Sequence, residues 1–267
     1  MSYLSAFIWD TSPEIFSFGI ITIRWYGLLF ALTFIVGYQI LTYIFKKENK
    51  QIKHLDSLAI YVAIGTAIGA RLGHCLFYAP EYYLSNPIEI LKIWEGGLAS
   101  HGGAIGILIA IWLFQRKYKE FTMLWILDRL VIVVALGGLF IRTGNFFNSE
   151  IYGTPTDLPW AVIFALRDDI PRHPAQLYEA IAYFLVFIIL FLIYKKNTFK
   201  EGFLFGLFLV LVFSARFLLE FLKEVQSGFE ANLLLDMGQI LSIPFILVGI
   251  FFVFKKNKLK KSHNKTN

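Results

Sequence analysis

The chain has 267 residues, of which 57% are hydrophobic, 18% aromatic and only 16% charged. Soluble domains carry about 25% charged residues and do not sustain apolar runs of the roughly 20 residues that cross a bilayer, so a soluble enzyme is excluded. The formal charge of +6 sits mostly in short Lys/Arg clusters between hydrophobic segments, a pattern of membrane orientation and not of nucleic-acid affinity.

Hydropathy predicts an all-α integral membrane protein of seven transmembrane helices: about Ser17–Phe45, Ser57–Tyr78, Leu98–Phe114, Thr122–Ile141, Gln176–Tyr194, Gly202–Leu222 and Gly238–Phe254. Every second connection is basic: Lys46, Lys47, Lys50 and Lys53; Arg116, Lys117 and Lys119; Lys195, Lys196 and Lys200; then the lysines from Lys255 to Lys265. The other connections carry Glu81, Glu89, Glu95, Asp157, Asp168, Asp169 and Glu230. The positive-inside rule puts the N-terminus outside and the C-terminus in the cytoplasm. One transmembrane domain is expected over residues 1–254, with a small extracytoplasmic cap at about 142–175 and a solvated basic tail at 255–267. The 79–97 stretch suggests a short interfacial helix anchored by Tyr82, Tyr83 and Trp94. No Lys or Arg precedes Arg24, so the N-terminus does not read as a removable signal peptide. The lone Cys75 offers no internal disulfide and reads as a small buried hydrophobe.

On this topology polar residues collect at one depth. Arg24, Tyr26, Arg71, His74, His101, Arg142, His173, Gln176, Glu179, Arg216, Glu220, Asp236 and Gln239 all fall near the outer leaflet, while Asp128 and Arg129 belong to the inner half. A charge at the bilayer centre costs about 2.5–3.5 kcal/mol on insertion scales, so such groups face a cavity or each other. A polar chamber open toward the outer leaflet follows. Taken singly, Arg24 and Arg71 could equally snorkel to headgroups, and Arg216 and Glu220, spaced i, i+4, could neutralise each other.

Three segments go beyond topology. His101-Gly102-Gly103 offers a base beside backbone that a ligand can approach; small-residue helix packing accounts for its glycines as well. Arg142-Thr143-Gly144-Asn145-Phe146-Phe147-Asn148-Ser149-Glu150-Ile151-Tyr152-Gly153 concentrates an arginine fork suited to phosphate with asparagines suited to hydroxyls, or else caps a helix through Asx-turns. Arg172-His173-Pro174-Ala175-Gln176-Leu177-Tyr178-Glu179 reads as a helix entry that braces the second segment. There is no lysine between Lys223 and Lys255 for a retinal Schiff base, no His pair at metal-ligand spacing, no Gly-x-Ser-x-Gly elbow and no P-loop.

The second segment, Arg-x-Gly-Asn-Phe-x-Asn-x-Glu-x-x-Gly, resembles the signature of bacterial prolipoprotein diacylglyceryl transferases. Arg24-Trp25-Tyr26-Gly27, Gly69-Ala70-Arg71-Leu72-Gly73, His101-Gly102-Gly103, Arg172–Glu179, Arg216–Glu220 and Gly238–Pro244 resemble further family motifs in order along nearly the whole chain. Two positions depart from the family pattern: Ile141 stands where a glycine is usual, and Lys223 where an arginine often follows, keeping a charge but losing a bidentate fork. The resemblance implies transfer of a diacylglyceryl group from phosphatidylglycerol to the lipobox cysteine of a preprolipoprotein in the bacterial inner membrane, with glycerol phosphate leaving and no metal or organic cofactor. On that implication Arg142, Arg216, His101 and Tyr26 are the candidate catalytic residues. Arg142, Asn145, Asn148, Glu150, Gly153, Glu220 and Arg71 form the substrate-binding set. A transporter with an anion-binding outer chamber and a lipid-presenting assembly factor are the competing classes.

Overall fold

The computed structural model describes residues 6–18, 21–92, 97, 99–196, 199–224 and 235–255. The chain is mostly helical. Its long helices are α1 (Trp25–Lys47), α2 (Ile52–Tyr78), α4 (Ser100–Lys117), α5 (Met123–Phe147), α6 (Ala175–Lys196), α7 (Phe203–Glu220) and α8 (Met237–Phe254), with a short α3 (Pro80–Ser85) between α2 and α4. Six of them are long and apolar enough to cross a membrane, and α4 falls outside that set. The reason is local: α4 opens on Ser100 and His101 and closes on Gln115-Arg116-Lys117, so only its middle is lipid-like. Large side chains such as Phe34, Ile60, Ile64 and Leu247 point outward from these helices, which suits hydrocarbon and not water.

Three expectations are corrected. The chain is not wholly α: five short strands form two small sheets. Residues 17–24 are not part of the first span, because Glu14–Phe18 (β2) and Ile21–Arg24 (β3) pair antiparallel. Alternation of Phe16 and Phe18 with Ser17, and of Ile21 and Ile23 with Thr22, is a two-residue period, and Ser17 meets Thr22 across the pair at 3.0 Å. The helix expected to end at Ile141 does not stop there: α5 runs on to Phe147 and carries Arg142 and Asn145 on its last turns. The interfacial helix is present as α3 followed by a 3-10 turn at Pro87–Leu91, while Trp94 and the tail beyond Lys255 lie outside the described residues.

Two compact units divide the chain. The first comprises residues 1–37 and 127–267. Its cap is a three-stranded sheet in which β4 (Val162–Phe164) pairs parallel with β1 (Phe7–Trp9) and antiparallel with β5 (Pro171–Arg172). This sheet closes over Phe146, Val162 and Phe164, with Trp9, Tyr152 and Leu177 packed against them. Below the cap, α7 and α8 meet at Gly206 and Gly249: a Cβ on Gly249 would stand 2.7 Å from the Gly206 carbonyl oxygen. Asp128, fully buried on α5, accepts hydrogen bonds from the Gly202 and Phe205 amides at 2.7 and 2.8 Å. It therefore caps the start of α7, where the first amides of a helix have no partner of their own.

The second unit, residues 38–126, is built on the α2–α4 pair. Gly65, Gly69 and Gly73 of α2 face Gly102 and Gly106 of α4 so closely that a Cβ on Gly102 or Gly69 would lie 2.2 or 2.4 Å from the opposing carbonyl oxygen. This is small-residue packing of the kind that drives helix association in lipid. Gly103 is not on the seam, and a Cβ there meets nothing nearer than 3.6 Å. An apolar groove of about 500 Å³ runs along the pair, lined by residues including Ile64, Ile68, Leu72, Ile105 and Ile109. At the basic end Glu120 accepts a hydrogen bond from Lys50 at 2.9 Å and lies 3.0 Å from His54 Nδ1.

Candidate active site

The polar residues of the first unit converge where α5, α6 and α7 end near the cap. Arg142 leaves the penultimate turns of α5, and its Nε forms an ion pair with Glu179 Oε2 on α6 at 2.9 Å. Glu179 is fully buried and shared: its other oxygen lies 2.8 Å from the Lys223 ammonium in a second ion pair. Lys223, just past α7 and only 4% exposed, also reaches Glu220 at 3.1 Å. Two cations and two carboxylates are thus woven into one neutral buried chain. Such a network survives desolvation only because every charge has a partner; removing one leaves another stranded. Gly238 at the start of α8 makes room for it, since a Cβ there would lie 2.5 Å from the Glu220 carboxyl carbon.

The remaining face of Arg142 is turned to the signature segment. Its Nη1 donates to the Asn145 side-chain oxygen at 3.4 Å. Asn145 and Asn148 in turn donate to Glu150 Oε1 at 2.8 and 3.1 Å. Glu150 sits between two residues in left-handed conformation, Ser149 (φ 51°) and Ile151 (φ 59°). Left-handed backbone at a β-branched residue is costly and is kept only where the surroundings over-determine it. Here three bonds do so: Gln176 donates to the Glu150 carbonyl at 2.7 Å, Arg167 to the Ser149 carbonyl at 3.0 Å, and the Glu150 amide donates to the Asn145 carbonyl at 3.1 Å. The third sequence segment therefore does brace the second, through Gln176 and Glu179.

Tyr26 reaches the same place from α1. Its ring lies against Gly144, where an added Cβ would come within 2.8 Å, and its hydroxyl is within electrostatic reach of Arg142 and Glu150. Gly153 is a packing residue: its amide donates to the His173 carbonyl at 2.9 Å, and a Cβ would lie 2.4 Å from the Leu222 carbonyl oxygen. Arg216, half-buried on α7, is within electrostatic reach of Tyr183, as are Arg142 and Glu179. The i, i+4 pairing of Arg216 with Glu220 is not formed, because Glu220 is taken by Lys223. Arg216 has no carboxylate partner among the described residues, so it supplies the site with an uncompensated positive charge.

Two sequence candidates lie in the second unit. His101 stands exposed on the first turn of α4, with no hydrogen-bond partner among the described residues. Arg71 is buried, and its guanidinium donates to the carbonyls of Glu89 at 2.5 Å, Ile90 at 3.0 Å and Gly97 at 3.5 Å, and lies 5.1 Å from the Tyr83 ring centre. These contacts fasten the 3-10 turn to α2.

Sequence reasoning left Tyr183 and Arg167 without a role, gave Glu179 only a general bracing one, and gave Lys223 only a retained charge. The signal for Glu179 was present, as a carboxylate inside an apolar span needs a partner. Outside the membrane-spanning helices, the Arg172 guanidinium beside Asp168 (2.8 Å) holds that carboxyl below its ordinary range, and Arg172 also grips Glu224 at 3.0 Å. This clamp ties β5 to the segment after α7.

The family model described as prolipoprotein diacylglyceryl transferase matches residues 13–255 of the chain. Among curated relatives, the phosphatidylglycerol–prolipoprotein diacylglyceryl transferase of Tolumonas auensis is 52% identical, covering 94% of this chain and 98% of its own. The protein of the same name from Chloroherpeton thalassium is 50% identical over 97% of each chain, and that from Porphyromonas gingivalis 45% identical over 96% of each. The chain belongs to the prolipoprotein diacylglyceryl transferase family.

Proposed function

We propose that this chain moves the diacylglyceryl group of phosphatidylglycerol onto the lipobox cysteine thiol of a preprolipoprotein, the first step of lipoprotein lipidation. The observation that carries the reading is the set of Arg142, Asn145, Asn148 and Glu150 at the end of α5, held by Glu179 and joined by the unbalanced charge of Arg216. A phosphodiester is the anion such a pair of arginines suits, and amide and carboxylate groups suit the hydroxyls of a glycerol headgroup.

The reaction is a displacement at carbon. The thiolate sulfur bonds to the glyceryl carbon, the carbon–oxygen bond to phosphate breaks, and its electron pair goes to the departing glycerol phosphate. Charge therefore grows on the phosphate in the transition state, where preoriented cations lower the barrier. Arg142 and Arg216 serve that purpose. Glu179 fixes the Nε edge of Arg142 and so orients its remaining donors. Tyr26 orients glycerol or phosphate oxygens, and Asn145, Asn148 and Glu150 shape the headgroup pocket. His101 takes the thiol proton; its free, exposed imidazole supports this assignment. Gly153 and Glu220 act through the backbone and charge frame around Arg142, and Arg71 completes the substrate-binding set.

The same reading makes residues 1–254 one catalytic domain of seven spans in the bacterial inner membrane, α4 being the seventh, with the N-terminus outside and the basic tail in the cytoplasm. Both substrates then meet the enzyme at the outer leaflet. The test is purified protein in detergent with labelled phosphatidylglycerol and a lipobox peptide. Thioether and glycerol phosphate should form together, and neither should form with a Cys→Ser peptide or with Arg142→Ala. Lipid binding without either product would turn the assignment to a lipid carrier.

A further inference from the structure

Beside the site just described, the first unit holds a second, wholly different space. It is a polar chamber of about 320 Å³ lined by Ser12, Glu14, Arg24, Asn148, Glu150 and Arg167, with Pro13. Two of these residues, Asn148 and Glu150, are also the outer wall of the Arg142 cluster, through the Asn145–Glu150 and Asn148–Glu150 hydrogen bonds. The chamber therefore shares a wall with the reaction centre but is walled elsewhere by the β2–β3 hairpin and the cap.

Its chemistry is unlike that of a lipid tail. Arg167 uses its Nε on the Ser149 carbonyl and has no carboxylate partner among the described residues. Arg24 is held only loosely by Glu14, at 3.4 Å between side chains that are 62% and 44% exposed. An exposed contact of that length is weak, so Arg24 is free to turn to a better anion. Asn148 contributes a buried side-chain oxygen that accepts no hydrogen bond from any described residue, an unused acceptor suited to a hydroxyl. Two arginines suit a phosphate, while the Asn148 oxygen and the carboxylates of Glu14 and Glu150 are acceptors for hydroxyls, so this small polar space matches a phosphate joined to a polyol.

The reaction supplies such a molecule. Phosphatidylglycerol presents a phosphodiester with one negative charge, whereas breaking the carbon–oxygen bond leaves a phosphate monoester, whose charge near neutral pH is about −1.5 to −2. We propose that the Arg24–Arg167 chamber is the receiving site for the glycerol phosphate leaving group, a product site distinct from the place where the intact lipid reacts. The extra charge favours the product over the diester there and draws it off the reaction centre. This inference rests on the transferase reading above.

Product inhibition tests it. Initial rates of thioether formation are measured against phosphatidylglycerol concentration, with glycerol phosphate or inorganic phosphate added, for the full-length wild type, Arg167→Gln, Arg24→Gln and Arg167→Lys, each checked for its melting temperature in detergent. The inhibition constant for glycerol phosphate should rise about tenfold or more in each Gln variant, as loss of one charge-assisted contact requires, and less in Arg167→Lys. The Michaelis constant for the lipid should move far less, and inorganic phosphate should inhibit more weakly than glycerol phosphate. An unchanged inhibition constant in both Gln variants, or wild-type turnover indifferent to glycerol phosphate, overturns the site. A lipid Michaelis constant that rises in step with the inhibition constant also overturns it, because the arginines then serve the lipid headgroup. No thioether from the wild type sinks the transferase reading and this site together; thioether with unchanged inhibition sinks this site alone.

Discussion

The glycine-rich start of α4 and the signature segment at the end of α5 look alike on paper, each a glycine-bearing stretch beside a charged or titratable side chain. In three dimensions they do opposite work. Around His101 the glycines are a packing device, with Gly102 and Gly106 pressed against the backbone of Gly65, Gly69 and Gly73. Around Arg142 the polar side chains dominate, and glycine serves them: Gly144 admits the Tyr26 ring and Gly238 leaves room for the Glu220 carboxylate. A small residue therefore says that something comes close; what comes close is decided by the partner helix.

The largest effect that would sharpen this contrast comes from Arg142→Ala, which removes the donor set at the growing phosphate charge. Thioether formation should fall by about 10²–10³-fold, the range for losing a preorganised oxyanion donor, with the helices still intact by circular dichroism. Glu179→Gln should come next. Breaking a buried pair costs about 3–5 kcal/mol, so melting in detergent should drop markedly and turnover with it. Adding Lys223→Met to Glu179→Gln should not return stability or activity, since Lys223 still pairs with Glu220 in the single variant and its loss strands that carboxylate while Arg142 is still unoriented. Full recovery of turnover in the double variant would remove Glu179 as a positioning residue.

On the α4 side the contrast can be broken with two adjacent glycines. Gly102→Ala drives a Cβ into the Gly69 carbonyl and should cost about 1–3 kcal/mol of overpacking, read as a lower melting temperature. Gly103→Ala meets nothing nearer than 3.6 Å and should melt like the wild type. Equal losses at both positions would refute the seam. A smaller effect is expected at Ile151→Gly, where relief of left-handed strain, about 1 kcal/mol, should hold the melting temperature near wild type while a loosened Glu150 lowers turnover. The smallest effect concerns pH. Because the folded Asp168 carboxyl is held below its unfolded value by Arg172, its contribution to the cap is complete above the ordinary carboxylate range and disappears as pH falls below it. Asp168→Asn should therefore lower the melting temperature slightly at pH 7, and its difference from the wild type should shrink as pH falls through the lowered range of the folded carboxyl.

Much of the site was legible before any coordinates, because a charge inside an apolar span has few uses. Arg142, Asn145, Asn148 and Glu150 stand together as their spacing suggested, and Gln176 and Glu179 brace them from the next helix. What misled was the i, i+4 spacing of Arg216 and Glu220. Proximity on one helix is only an opportunity, and Lys223 offered Glu220 a closer, drier partner. The backbone contacts of Arg71 were not legible for a related reason: a buried guanidinium takes carbonyl partners that no local spacing records.

The sequence by itself determined the solvent and the chemistry. Apolar runs of bilayer length and lysine clusters between them require a membrane, and the ordered motifs identify the family, because both are carried by consecutive residues. The tertiary structure alone decided which charge neutralises which, that Phe7–Trp9 completes a sheet with residues more than 150 positions away, and that Arg24 and Arg167 share a chamber. These depend on contacts between segments far apart in the chain, where geometry and desolvation choose among several chemically plausible partners, and no local pattern of residues records that choice.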